Sequence, residues 1–169
     1  MKIFLTSLVA AFALVLSSRA DDAKITDAHL CCDSCVKGVQ KAVGTVPGLT
    51  ATCDKDAGTI TLSAADKATL QKGADALTAV GYFGTSSDVK IDASTGAKDK
   101  NVQSLTVNDT HICCPKCVKA INKAVKAVPG VTGVDAKKGD TSFTVTGDFN
   151  DKAVFDALQK AGLTGKEGN

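Results

Sequence analysis

The chain has 169 residues, a length for one or two small domains. Apolar residues make up 44% and charged residues 22%, which excludes an intrinsically disordered chain. Aromatics are only 4% with no Trp, so no stacking platform for single-stranded nucleic acid is available. The formal charge is +2, but Lys2 and Arg19 lie in a segment that reads as a removable leader. Without them acidic and basic residues balance, which leaves no footprint for nucleic acid or for acidic substrates. Seven cysteines against two histidines is the unusual feature, and the thiols are where function is to be sought.

Residues 1–20 begin with a basic residue, Lys2, and continue as an apolar run from Ile3 to Leu16. Small residues follow at Ser18 and Ala20. This is the three-part pattern of a secretory signal peptide, and the run is short for a membrane span. The mature chain is expected to start at Asp21 and to work in the periplasm or outside the cell, with no membrane insertion after cleavage.

Two segments match at a spacing of 82. Residues 29–49 and 111–131 are identical at 12 of 21 positions, including His, three Cys, Val-Pro-Gly and two Lys. The expected organisation is therefore two copies of one module, 21–87 and 102–169. In copy one a short alternating stretch at 25–30 predicts a strand. Val36, Val39, Val43 and Val46 then mark one face of a helix, ended by Pro47-Gly48. Strands are expected at 49–54 and 59–63 around the turn Asp56-Ala57-Gly58. A second helix carries Leu70, Leu77 and Val80, and a last strand is expected near 82–87. Residues 88–101 are polar and rich in Ser, Lys and Gly, and read as a linker.

Copy two repeats the order. It has a strand at 105–112, a helix with Val118, Ile121, Val125 and Val128, and strands at 131–136 and 142–146. A helix with Val154, Leu158 and Ala161 follows, with Asn150 as its N-cap. The order β-α-β-β-α-β predicts an α+β protein of two tandem ferredoxin-like modules.

The cysteines fall in a cluster, His-x-Cys-Cys-x-x-Cys, between the first strand and first helix of each copy. Pro115 suits the first helical position, which makes Cys114 the N-cap and, by the repeat, Cys32. Cys35 and Cys117 then lie in the first turn. The helix N-terminus favours thiolate over thiol, the form that binds metal or attacks a disulfide. Soft thiolates select Cu(I), Zn(II), Cd(II) and Hg(II). The same layout also serves thiol–disulfide exchange, and in an oxidising compartment the pairs could be plain disulfides.

A β-α-β-β-α-β module with Cys-x-x-Cys between its first strand and first helix resembles the heavy-metal-associated domain family. That family includes copper chaperones, the N-terminal modules of metal-pumping ATPases and the periplasmic mercury-binding protein. The resemblance implies Cys32, Cys35, Cys114 and Cys117 as principal metal ligands. It also implies a metal-transporting membrane protein or another metallochaperone as partner. The family's Met position is here Leu30 or Ile112, expected to pack inward. The Gly-Tyr that often ends the second helix appears as Gly81-Tyr82 and, in copy two, as Gly162-Leu163.

Cys31 and Cys113 are departures from the family motif. A third thiol per site suits three-coordinate Cu(I) or Hg(II), or Zn(II) completed by His29 or His111. Cys53 has no counterpart in copy two and reads as a half-buried free thiol. Lys37, Lys41, Lys119 and Lys123 form a solvated face or a docking surface. The chain shows no Ser/His/Asp set and no phosphate loop. The sequence points to a metal-binding protein rather than an enzyme, with an oxidoreductase as the alternative.

Overall fold

The computed structural model describes residues 20–168. The expected leader therefore lies outside the described residues, apart from Ala20. Among the described residues no helix is long and apolar enough to cross a membrane.

The first half of the chain runs β1 (Asp21–Ile25), α1 (Asp33–Val43), β2 (Thr50–Asp54), β3 (Thr59–Ala64) and α2 (Lys67–Ala79). The second runs β4 (Asn101–Asn108), α3 (Pro115–Lys126), β5 (Val131–Val134), β6 (Phe143–Asn150), α4 (Asp151–Lys160) and β7 (Lys166–Glu167). Each half has an antiparallel sheet, β1-β3-β2 and β5-β6-β4-β7. The protein is α+β, and its helices pack on the sheets. In both halves the third strand lies between the first two, the crossover of a split β-α-β unit.

Period-two burial explains the sheets. Ala23 and Ile25 point inward from β1 and pair with Leu62 and Ile60 of β3. Leu105 and Val107 of β4 pair with Val145 and Phe143. Of the expected faces, Val39 and Val43 on α1 and Ile121 and Val125 on α3 are buried, together with Cys35 and Cys117, whereas Val36 and Val118 are only partly buried and Val46 and Val128 lie beyond the helix ends. Each fully buried Val, Leu or Ile contributes about 1.5–3 kcal/mol before chain entropy is counted. Leu30 and Ile112 are buried, as expected. Asn150 caps α4 through Ala153 N–H at 3.1 Å.

Several elements differ from their expected limits. The strand expected at 25–30 lies instead at Asp21–Ile25, sharing only Ile25 with it, and the one expected at 105–112 runs Asn101–Asn108. Asp27 and Asp109, 82 residues apart, adopt left-handed backbone with φ of 61° and 55°. A short polar side chain tolerates that conformation, and it turns the chain out of the sheet just before each His. Val80, expected on the apolar face of α2, is the C-cap and is 42% exposed. The strand expected at 82–87 is reduced to two isolated bridges, Thr26 with Thr85 and Tyr82 with Leu163.

The second of those bridges joins the two halves, and it explains the missing strand. Tyr82 pairs with the other half rather than with its own β1. Phe83 N–H donates to Gly162 O at 3.2 Å, Thr164 N–H to Gly81 O at 3.0 Å, and His29 N–H to Gly162 O at 3.2 Å. Gly81 has φ 88°, and a Cβ there would lie 2.3 Å from His111 N. Gly162 has φ 74°, and a Cβ there would lie 2.5 Å from His29 N. Only glycine admits both the conformation and the close backbone approach. The two glycine turns thus seat each half's His-bearing loop against the other half.

Residues 88–100 form no helix or strand, but they are held at both ends. Asp88 accepts from Lys24 N–H at 3.0 Å. Asp151 accepts from Lys98 and Lys100 N–H, each at 2.9 Å. Val89 is buried between these anchors.

Candidate metal centre

The turn at Asp27 or Asp109 and the helix start at Asp33 or Pro115 fix each cysteine loop. Cys32 and Cys114 are the N-caps, with extended backbone, and neither side chain makes a capping hydrogen bond. Their sulfurs are therefore free for other chemistry. Cys35 and Cys117, three residues on, are fully buried beneath the helix starts. Cys31, Cys32, Cys113 and Cys114 are partly exposed, and none of the seven cysteines is in a disulfide.

The sequence treats the two clusters as separate sites, one per copy. The structure brings all six thiols together across the junction. Cys31 Sγ lies 3.6 Å from Cys35 and 3.4 and 3.7 Å from Cys114 and Cys117 of the other half. Cys113 Sγ lies 3.7 Å from Cys117 and 3.9 and 3.5 Å from Cys32 and Cys35. The Cys-x-x-Cys pairs close at 3.8 Å (Cys32–Cys35) and 3.7 Å (Cys114–Cys117). The two buried sulfurs meet at 4.0 Å. Exchanging 31 with 113, 32 with 114 and 35 with 117 reproduces the pattern of contacts, so the cluster has an approximate two-fold relation. Cys53 lies on β2 opposite Ile60 and is partly buried, and burial raises its thiol pKa. It belongs to none of the candidate ligand groups.

Both histidines reach the cluster, in unlike ways. His111 groups with Cys35, Cys113 and Cys117, and His29 with Cys31 and Cys117, as sets whose ligand atoms lie within 4.8 Å. Tyr82 is 1% exposed, and its hydroxyl donates to Cys35 O at 2.6 Å. That commits its one proton, so His111 Nε2, 3.0 Å away, donates to the hydroxyl oxygen. The two rings stack with centroids 4.4 Å apart. The counterpart of Tyr82 in the repeat is Leu163, which has no hydroxyl. His29 Nε2 is accordingly buried without a partner. Burial also lowers the His29 pKa, against the raising effect of Cys35, which favours the uncharged ring that can ligate a metal.

The thiols share charge. Donation from Cys117 holds Cys35 sulfur far below the ordinary thiol range against burial, helped by the adjacent His111 ring and by Cys113 and Cys31. Donation to Cys35, with burial, pushes Cys117 up. Burial and the neighbouring sulfurs raise Cys31 and Cys113. Burial also works to raise Cys114, but the nearby Cys117 backbone N–H, short of a capping hydrogen bond, and the thiols of Cys31 and Cys32 overcome it and bring it to about 6. Sulfurs of such unlike acidity packed into one cluster form a soft, multidentate donor set.

The chain was compared with known proteins. No family model matches it, and no curated protein does. Among solved structures it is similar to the N-terminal domain of PacS from Synechocystis PCC6803. The identity there is 20%, over 40% of this chain and 100% of that one, with a TM-score of 0.37. It is similar to the apo HMA domain of the copper chaperone for superoxide dismutase, at 21% identity over 51% and 86%, with a TM-score of 0.36. The N-terminal soluble domains of Bacillus subtilis CopA match at 15% identity over 90% and 97%, with a TM-score of 0.35.

Proposed function

We propose that this chain binds soft d10 metal ions at the six-thiol cluster and serves as an exported scavenger, buffer or carrier. The observation that carries the reading is the convergence of six unbridged thiols at 3.4–4.0 Å. Metal–sulfur bonds of about 2.3 Å place neighbouring sulfurs about 3.8 Å apart around a tetrahedral ion and about 4.0 Å apart around a trigonal one. The cluster has spacings close to those, so little reorganisation opposes loading. Sulfur-only faces favour Cu(I) or Hg(II), while Zn(II) would draw on His29 or His111.

Loading would break S–H bonds and form metal–sulfur bonds, releasing protons without any change of oxidation state. The buried Cys35 and Cys117 would be the last ligands to let go, and the more exposed Cys32 and Cys114 would be the first replaced by a partner's thiolates. A groove of about 450 Å³, lined by Gly38, Lys41, Val80, His111 and Cys113 among others, borders the cluster on one side. A metal-transporting membrane protein or a second metallochaperone could approach there. This chemistry is ligand exchange and needs no covalent turnover, so the protein is read as a carrier and not an enzyme.

Native mass spectrometry of reduced residues 21–169, titrated with Cu(I), Zn(II) and Hg(II), tests the reading. Retention of Cu(I) or Hg(II) under competition is expected. A chain free of metal after anaerobic purification, with every thiol titratable, would overturn it. The lowered Cys35 and Cys114 favour one rival, a thiol–disulfide oxidoreductase, which requires turnover of a disulfide substrate. Export is tested by N-terminal sequencing, with Asp21 expected as the first residue.

A further inference from the structure

Given the soft-metal reading, on which this step rests, the question is how six thiols divide between ions. We infer that each Cys-x-x-Cys pair is completed by the extra cysteine of the opposite half. One site is Cys32, Cys35 and Cys113, and the other is Cys114, Cys117 and Cys31.

Two observations carry this. The first is distance. Cys32, Cys35 and Cys113 form a closed triangle with edges of 3.8, 3.5 and 3.9 Å. Cys114, Cys117 and Cys31 form another, with edges of 3.7, 3.7 and 3.4 Å. Two other triangles close, Cys31–Cys35–Cys117 and Cys35–Cys113–Cys117, but both use the same Cys35–Cys117 edge. Each leaves behind three thiols that do not form a closed triangle at these distances. The crossed division alone uses every thiol once and closes both sets within 4.0 Å.

The second observation is backbone direction. Cys31 and Cys32 are neighbours in sequence, and Cys32 is extended, with φ −166° and ψ 172°. Cys114 has φ −153° and ψ 167°. Successive side chains on extended backbone point to opposite sides. The two sulfurs of each vicinal pair are thereby set apart, so Cys31 with Cys32, and Cys113 with Cys114, do not close into one triangle with the Cys-x-x-Cys partner of their own half. The set Cys31, Cys32 and Cys35 groups only at the looser limit of 4.8 Å.

The consequence is functional. An ion in either site ties the two halves together, and neither half alone offers three sulfurs to one ion at these distances. Cys31 and Cys113 are thus the residues that make metal retention depend on the junction formed by Gly81, Gly162 and Tyr82.

Two measurements test this on residues 21–169. In the unaltered protein loaded with 113Cd(II), proton–cadmium correlation spectra report which cysteine β-protons share an ion. One cadmium signal is expected to correlate with Cys32, Cys35 and Cys113, and a second with Cys114, Cys117 and Cys31. A signal joining Cys31, Cys32 and Cys35 would overturn the crossed assignment. Two triple variants give the second readout. Cys31→Ser/Cys114→Ser/Cys117→Ser keeps the crossed set, and Cys113→Ser/Cys114→Ser/Cys117→Ser keeps the set within one half. The first is expected to bind one Cu(I) at least tenfold more tightly, and equal or reversed affinities would refute the inference. If the unaltered chain takes up neither Cu(I) nor Cd(II), the soft-metal reading itself fails, an outcome distinct from either misassignment.

Discussion

Tyr82→Phe tests whether the junction is built as described. The substitution keeps the ring, its burial and its stacking on His111, and removes one oxygen. In the native protein that oxygen donates to Cys35 O at 2.6 Å and accepts from His111 Nε2, 3.0 Å away. A buried neutral hydrogen bond contributes about 1 kcal/mol net, and a buried nitrogen left unpaired costs about 1 kcal/mol more. The expected loss is about 2 kcal/mol, roughly a 30-fold fall in the folding equilibrium constant. For a domain of this size that is about 4–8 °C in Tm. The assay is urea unfolding of metal-free protein under reductant and chelator. The comparison includes His111→Ala and the double variant. Because the two residues share one bond, their effects are expected to fall short of additive by about 1 kcal/mol. A Tyr82→Phe loss below about 0.5 kcal/mol, or strictly additive single effects, would refute the assignment of Tyr82 and His111 as a coupled pair across the junction.

Gly81→Ala is expected to cost about 3 kcal/mol in the same assay, through its positive φ and its contact with His111 N. Gly48→Ala is the control: its φ is +77° but nothing lies within 4 Å of the added carbon, so about 1 kcal/mol is expected. Equal losses would show that the close approach between halves is not real. Asp151 supplies a pH test. Burial works to raise its pKa, but the backbone N–H groups of Lys98, Lys100 and Lys152 overcome this and hold it below the ordinary carboxylate value. A carboxyl depressed in the folded state stabilises above its unfolded pKa of about 4, and that stabilisation is lost as pH falls through the folded value. Native protein is therefore expected to lose stability below about pH 4, with a shallower acid slope in Asp151→Asn, which costs about 2 kcal/mol at neutral pH.

The sequence determined the local chemistry. The duplicated His-x-Cys-Cys-x-x-Cys named the six thiols, and Pro115 placed Cys114, and by the repeat Cys32, at helix N-caps. The spacing of Val39 and Val43, and of Ile121 and Val125, named the buried helix faces. These features were legible because they depend on residues a few positions apart, where helix and strand periods act. The strand limits were less so: the turns at Asp27 and Asp109 come from a left-handed conformation that Asp adopts without demanding it. A repeat spacing of 82 says nothing about how the copies face each other. That was decided by Gly81 and Gly162, which let backbones from opposite halves touch, and by the Tyr82–Leu163 bridge that draws off what would have been a strand. Tertiary structure alone turned two apparent sites into one cluster of six. It alone made His29 and His111 unlike, because one lies against a hydroxyl and the other does not. Both facts rest on contacts between residues far apart in the chain, and no local pattern of side chains encodes such contacts.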